Sequence, residues 1–295
     1  MDWKKSLNNY YNYISIERNL SANSVESYMR DMTQFSKFNK KVNPLEINRE
    51  NILKYIDYIN TYEISPRSQA RILSSIRSFY NFLIFDNKLE NDPCEHIHTP
   101  KIGFKIPTTL TIEEVDKIIA SINLSEQQGE RNRAIIECLY SCGLRVSELI
   151  TIKISNLLFD EDIIKVIGKG DQQRIVPLSN TLKKYLKHYI NFIRSKQKTQ
   201  TNDSDTLFLN RHGSRLSRVM IFTIVKRFTQ IAGIQKQVSP HTFRHSFATH
   251  LVEGGADLRV VQEMLGHVNI TTTEIYTHLN TDYLRQEIIN YHPRS

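Results

Sequence analysis

Residues 239–279 read SPHTFRHSFATHLVEGGADLRVVQEMLGHVNITTTEIYTHL, and the rest of the chain is best read outward from them. Ser239 is a good helix cap and Pro240 a favourable first-turn residue, so a helix is expected over 241–253. His241, Arg244 and His245 then stand at i, i+3 and i+4, with His241 and Arg244 on one face of the first turns. Unpaired backbone N–H groups at such a start favour an anion. Gly254-Gly255 ends the helix, a short helix over 258–265 follows, and Leu265-Gly266 ends that one and presents His267. Thr271, Thr272 and Thr273 lead into a further helix, 270–278, that carries Tyr276. With Arg145 upstream in CGLRVSEL, this is a set of groups suited to attacking a phosphodiester without a metal. A tyrosine oxygen is the nucleophile, guanidinium groups hold the phosphate oxygens and imidazoles handle protons.

Each residue alone has an ordinary reading. Tyr276 is one of 14 tyrosines, Arg145 can pair with Glu148, and His245 and His250 suit a core. Zinc at His241 and His245 is disfavoured, because the glutamate of an HExxH motif is absent and no third ligand is evident. Lys169 stands in GKGDQQ between two β-branched runs, 162–167 and 174–178, which read as two strands joined by a turn. A lysine there is usually a solvated charge, but it can also deliver a proton to a leaving oxygen.

Upstream, residues 1–98 show only helical periodicity. Helices are expected over 2–16, from Ser21 or Asn23 through Phe35, over 51–62, and from Ser65-Pro66 through Leu83. Arg67, Arg71 and Arg77 sit on or beside the last of these, either as a solvated basic face or as contacts to DNA phosphates. Around 99–110 the periodicity breaks into HTPKIGFKIPTTL, an extended linker, and Thr111 restarts a helix with acidic residues in its first turn. The expected domains are therefore 1–98, a linker 99–110, and 111–295. The second has further helices over 180–195, 217–232 and 282–290. The fold class is mainly α: a helical N-terminal domain plus a mixed α/β domain that is mostly helical with a small antiparallel sheet.

Composition fits a globular chain, at 40% hydrophobic and 24% charged residues. The formal charge is +8, and nearly all of the excess lies after Pro100, where 26 Lys and Arg face 19 Asp and Glu. Such an excess attracts polyanions, nucleic acid above all. The start has no apolar signal region, and no run approaches the ~18 apolar residues of a membrane span. Three cysteines offer no disulfide framework and read as core residues, so a cytoplasmic location is expected, with no membrane partner and no small-molecule substrate.

Taken together, GLRVSEL, GKG between two strands, HTFRHSFATHL, LGH and a tyrosine nine residues on resemble the tyrosine recombinase (phage integrase) family, and within it the compact Xer subfamily. The family's order of active residues, Arg, Lys, His-x-x-Arg, His or Trp, Tyr, falls on Arg145, Lys169, His241, Arg244, His267 and Tyr276. LSANSVESYMRDMTQF and RILSSIRSFYNFL resemble its core-binding (SAM-like) domain of four to five helices. One departure stands in the hairpin, where the family's usual basic residue three after GKG is Gln173, although Arg174 follows and is a candidate DNA contact.

The resemblance implies a site-specific recombinase that cuts and rejoins double-stranded DNA through a 3′-phosphotyrosyl bond, with no metal or other cofactor. It also implies chromosome-dimer resolution at a dif-type site, in a heterotetramer with a second Xer-type recombinase and an FtsK-type DNA translocase as activator. The segment after Tyr276 would either dock onto a neighbouring subunit or pack on its own domain. The alternatives are an integrase of a mobile element, a DNA-binding module with a dead site, and a metal-dependent nuclease, which would need clustered carboxylates.

Overall fold

The computed structural model describes residues 2–101, 103, 107–168, 173–266 and 280–295, with only the backbone at 280–282. The chain divides into two compact units, residues 1–105 and 106–295.

In the first unit four helices enclose one apolar core: α1 (Trp3–Asn12), α2 (Ala22–Phe38), α3 (Arg49–Asn60) and α4 (Pro66–Phe85). The Ser21 hydroxyl accepts the Ser24 N–H at the start of α2, and the Ser65 hydroxyl accepts the Ser68 N–H just after Pro66. The α3 helix starts two residues earlier than the apolar pattern suggests, because Asn48 and Asn51 cap each other reciprocally. Tyr10, Met32, Phe35, Ile52, Tyr55, Ile76, Phe79 and Leu83 bring all four helices into the core.

Of the four arginines considered for DNA contact, three lie in this unit, and two of these are engaged within it. Arg71 pairs with buried Asp31, which also accepts the Ser75 hydroxyl at 2.8 Å. Arg77 donates to the Thr99 hydroxyl at 2.8 Å and to the Ile97 carbonyl, holding the end of the unit against α4. Arg67 is exposed.

The second unit packs helices around a three-stranded antiparallel sheet, β1 (Leu157–Leu158), β2 (Ile163–Ile167) and β3 (Gln173–Pro177), in that spatial order. Ile164 and Val166 of β2 are buried, while Lys165 and Ile167 face outward. Ile164 pairs with Val176 and Val166 with Arg174, so the pleat puts Arg174 on the core side and Ile175 outside. Before the sheet come α5 (Ile112–Ala120), α6 (Gly129–Ser141) and α7 (Val146–Thr151); after it come α8 (Asn180–His188), α9 (Arg218–Ile231), α10 (Pro240–Gly254), α11 (Leu258–Leu265) and α12 (Asn280–Tyr291).

The expected helix over 180–195 is regular α only to His188, then continues as a π segment, Tyr189–Ile193, and a 3₁₀ turn. Arg194 in that turn donates to the carbonyls of Asp203, Ser204 and Thr206, tying it to the next loop. The expected helix over 270–278 lies outside the described residues.

The segment after residue 279 packs on its own unit. Leu284 and Ile288 of α12 are buried with Phe247 and Leu251 of α10 and Val260, Val261, Met264 and Leu265 of α11. Glu287 accepts the Asp257 N–H at the start of α11 at 3.0 Å, and Arg285 pairs with Asp162. Beyond α12, Arg294 reaches buried Glu137 at 2.8 Å and also pairs with Asp116.

Candidate active site

Three segments meet at one buried carboxylate. Gly143 stops α6 with φ at +55°, and a Cβ there would stand 2.5 Å from the Phe247 ring, so glycine is required for both conformation and space. The turn makes Arg145 the N-cap of α7 and places Glu148 at its third position. Glu148 folds back to accept the Arg145 N–H at 2.7 Å, satisfying one of the free donors of the helix start. Its other oxygen takes Arg145 Nη1 at 2.8 Å.

Two further arginines close on the same group. Arg174 donates Nη2 to Glu148 Oε2 at 2.8 Å, and Arg244 Nη1 lies 3.9 Å from that oxygen. Arg244 is fixed mainly by carbonyls, with Nη1 on Gly143 at 2.6 Å and Nη2 on Leu265 at 2.5 Å. Arg145 Nη2 donates to Gly266 at 3.1 Å. The C-terminal end of α11 therefore supplies acceptors to both Arg145 and Arg244. Gly266 ends α11 at φ +65°, where a Cβ would crowd Arg174 Cδ at 2.9 Å.

Among the described residues the charges here are unbalanced. Glu148 is only 2% exposed, and three guanidinium groups surround this one carboxylate. Burial, then Arg145 and Arg174, pull the Arg244 guanidinium down to about 10, despite Glu148. Burial also lowers Arg174, offset by Glu148 and reinforced by Arg145. Arg174 Nε and Nη1 are buried without a hydrogen-bond partner among the described residues. A cluster of this kind suits an anion, which would both neutralise the excess charge and accept the unused donors.

Of the six residues expected to carry chemistry, Arg145 and Arg244 come together here, and His241 lies exposed in the first turn of α10, which also holds Arg244. Lys169, His267 and Tyr276 lie outside the described residues. His245 is exposed, whereas His250 is buried, with Nδ1 2.7 Å from the Tyr140 hydroxyl. Glu148 entered the sequence reading only as an ordinary partner for Arg145. Its role as the hub of three arginines has no sequence signal beyond the i+3 spacing. Among the described residues no group of three or more His, Cys, Asp and Glu side chains is placed to hold a metal ion. Nor is any helix there long and apolar enough to cross a membrane.

Comparison with known proteins bears on what such a site serves. Residues 108–282 match the phage integrase family, and residues 7–87 match the phage integrase N-terminal SAM-like domain. The chain is 42% identical over 294 residues to tyrosine recombinase XerD of Oceanobacillus iheyensis, covering 98% of this chain and 99% of that relative. To the XerD of Staphylococcus saprophyticus it is 43% identical over 291 residues, covering 97% and 98%. Among solved structures, XerH recombinase bound to its difH substrate before cleavage has a TM-score of 0.68 at 26% identity, covering 91% of this chain and 80% of that one. A lambda integrase dimer bound to a core site has a TM-score of 0.71 at 18% identity, covering 94% and 100%, a likeness of fold.

The chain belongs to the phage integrase family of tyrosine recombinases. It is a site-specific recombinase, an enzyme of DNA strand exchange, and its similarity to XerD proteins runs nearly end to end.

Proposed function

We propose that the arginine cluster at Glu148 receives the scissile phosphate of double-stranded DNA. The supporting observation is the charge count, three guanidinium groups around one carboxylate. In this reading Tyr276 Oη attacks phosphorus, the Oη–P bond forms as the P–O5′ bond breaks, and the electron pair leaves on the 5′ oxygen. That oxygen takes a proton from Lys169 and departs as a 5′-hydroxyl. Arg145 and Arg244 stabilise the charge on the five-coordinate phosphorus. His241 takes up the proton of the attacking tyrosine, and His267 donates a hydrogen bond to a non-bridging oxygen. The second step reverses the first with a different 5′-hydroxyl, so bond energy is conserved in the phosphotyrosine and no ATP is consumed.

Residues 1–98 serve as the core-binding domain, 99–110 as linker and 111–295 as the catalytic domain. The similarity to XerD proteins across nearly the whole chain favours chromosome-dimer resolution at a dif-type site in the cytoplasm. A second Xer-type recombinase would complete the tetramer, and an FtsK-type translocase would activate it.

A nicked suicide duplex carrying the dif-type site tests the chemistry. The wild-type protein is expected to form a covalent adduct that EDTA does not suppress, and Tyr276→Phe to bind the duplex without forming it. An adduct from Tyr276→Phe would remove the assigned nucleophile, and EDTA-sensitive cleavage would point to a nuclease.

A further inference from the structure

Arg174 is the arginine of the cluster that the six-residue set does not use. It is a candidate DNA contact by its place after GKG, yet its side chain keeps only 11% of its exposure. The β2–β3 register puts it opposite buried Val166, on the inner face of the sheet. There Nη2 holds Glu148 Oε2, the same oxygen that accepts the Arg145 N–H. Cδ and Nε pass beneath Gly266, where a Cβ would lie 2.9 and 3.0 Å away, and Arg145 Nη1 would stand 3.7 Å from that same point. The Arg145 and Arg174 guanidinium groups therefore lie side by side under the end of α11.

Arg194 donates to three carbonyls and Arg244 to two, whereas Arg174 is held among the described residues by Glu148. Arg174 leaves Nε and Nη1 buried without partners among the described residues, beside two other cations. Burying a charge in this way is unfavourable unless an anion arrives to offset it. We propose that Arg174 is a third arginine of the phosphate site. It is a positioning residue that fixes Glu148 for Arg145 and adds positive charge behind the phosphate. This rests on the reading that Arg145 and Arg244 hold the scissile phosphate.

The test uses the full-length protein and two suicide duplexes, one with the normal scissile phosphodiester and one with a methylphosphonate, which replaces a non-bridging oxygen by methyl and removes the negative charge. On the phosphodiester, Arg174→Ala is expected to slow adduct formation by about 10²-fold, the lower end of what losing a transition-state donor costs. Duplex affinity should stay near that of the wild type, and Arg174→Lys, which keeps the charge, should recover much of the rate. On the methylphosphonate, Arg174→Ala and wild type should react at comparable rates.

An equal deficit on both duplexes, with lysine no better than alanine, would make Arg174 a structural prop and overturn the proposal. So would a phosphodiester rate for Arg174→Ala equal to wild type. If Arg174→Ala does not fold, as judged by thermal melting, Arg174→Gln, which removes the charge and keeps hydrogen-bonding capacity, takes its place on the two duplexes. A glutamine deficit confined to the phosphodiester supports the proposal, and no deficit, or an equal one on both, overturns it. Absence of any adduct from the wild-type protein would instead overturn the phosphate-site reading itself.

Discussion

The two units each bury a carboxylate beside arginine, and they balance the charge differently. In the first, Asp31 meets one arginine, Arg71, and one hydroxyl, Ser75. In the second, Glu148 meets Arg145, Arg174 and, more distantly, Arg244. The first site is a neutral pair, with Arg71 and Ser75 both on Asp31 Oδ2, and it joins α2 to α4. The second has more cations than its carboxylate can neutralise, held by carbonyls at Gly143, Leu265 and Gly266. A balanced pair is sufficient for structure. An unbalanced cluster costs stability that the surrounding core must absorb, and a bound anion would offset that cost.

Four measurements would break or sharpen this contrast. The largest effect is expected from Glu148→Gln, which strands three clustered guanidinium groups. Unfolding in urea should show a loss of about 3–5 kcal/mol, the range for breaking a buried ionic contact. Inorganic sulfate should restore more stability to this variant than to wild type. Equal sulfate responses would mean that the cluster has no unmet demand for an anion.

Arg145→Ala should leave a folded protein but raise the barrier to adduct formation by about 2.7–4 kcal/mol, as when an oxyanion donor is lost. A single-turnover rate within a few-fold of wild type would remove Arg145 from the chemistry. Asp31→Asn should cost about 1.5–3 kcal/mol of stability, the range for a hydrogen bond to a charged group. Arg71 is 39% exposed and can turn to water, and the adduct rate of the folded fraction should be unchanged.

The smallest effect concerns pH. Burial, then His250 and Arg294, lower His292 to about 3 from 6.5. Its ring packs against Tyr140 and Phe247, and buried Glu137 pairs with Arg294 nearby. Above pH 6.5 the imidazole is neutral in both folded and unfolded chains, so its stabilising contribution is complete. As pH falls from 6.5 toward 3 only the unfolded chain takes up the proton, and that contribution is lost. Glu137, whose carboxyl is raised by burial, acts in the opposite sense. Melting temperature should therefore decline less steeply over this window in His292→Asn, which keeps an acceptor for the Arg294 N–H, than in wild type. Identical slopes would show that His292 does not govern the acid side.

Much of this architecture was legible in sequence because it is written in local terms. Caps at Ser21, Ser65 and Ser239, glycine stops at Gly255 and Gly266, and the β-branched runs around GKG all act within a few residues. Arg145, His241 and Arg244 could be named for the same reason, since each stands at a helix start that a short motif defines. The π segment after α8 was not legible, because it depends on carbonyls supplied by a loop at 203–206. The two-residue β1 strand was also missed, as its pairing with β2 is tertiary.

By itself, then, the sequence determined the helical first unit and the paired strands of the second, and it named candidates for phosphoryl transfer, because periodicity, capping and motif spacing are short-range properties of the chain. Only the tertiary structure decided which arginines share a carboxylate. Alternation in QRIVP would put Ile175 inside and leave Arg174 in solvent, and the register Val166↔Arg174 reverses this. It likewise decided that α12 packs on its own unit, with Leu284 and Ile288 between α10 and α11. The physical reason is the same in both cases: a side chain's partner is set by which surfaces packing brings together, beyond the reach of caps and short motifs, as when Arg145 meets Gly266 and Arg244 meets Gly143.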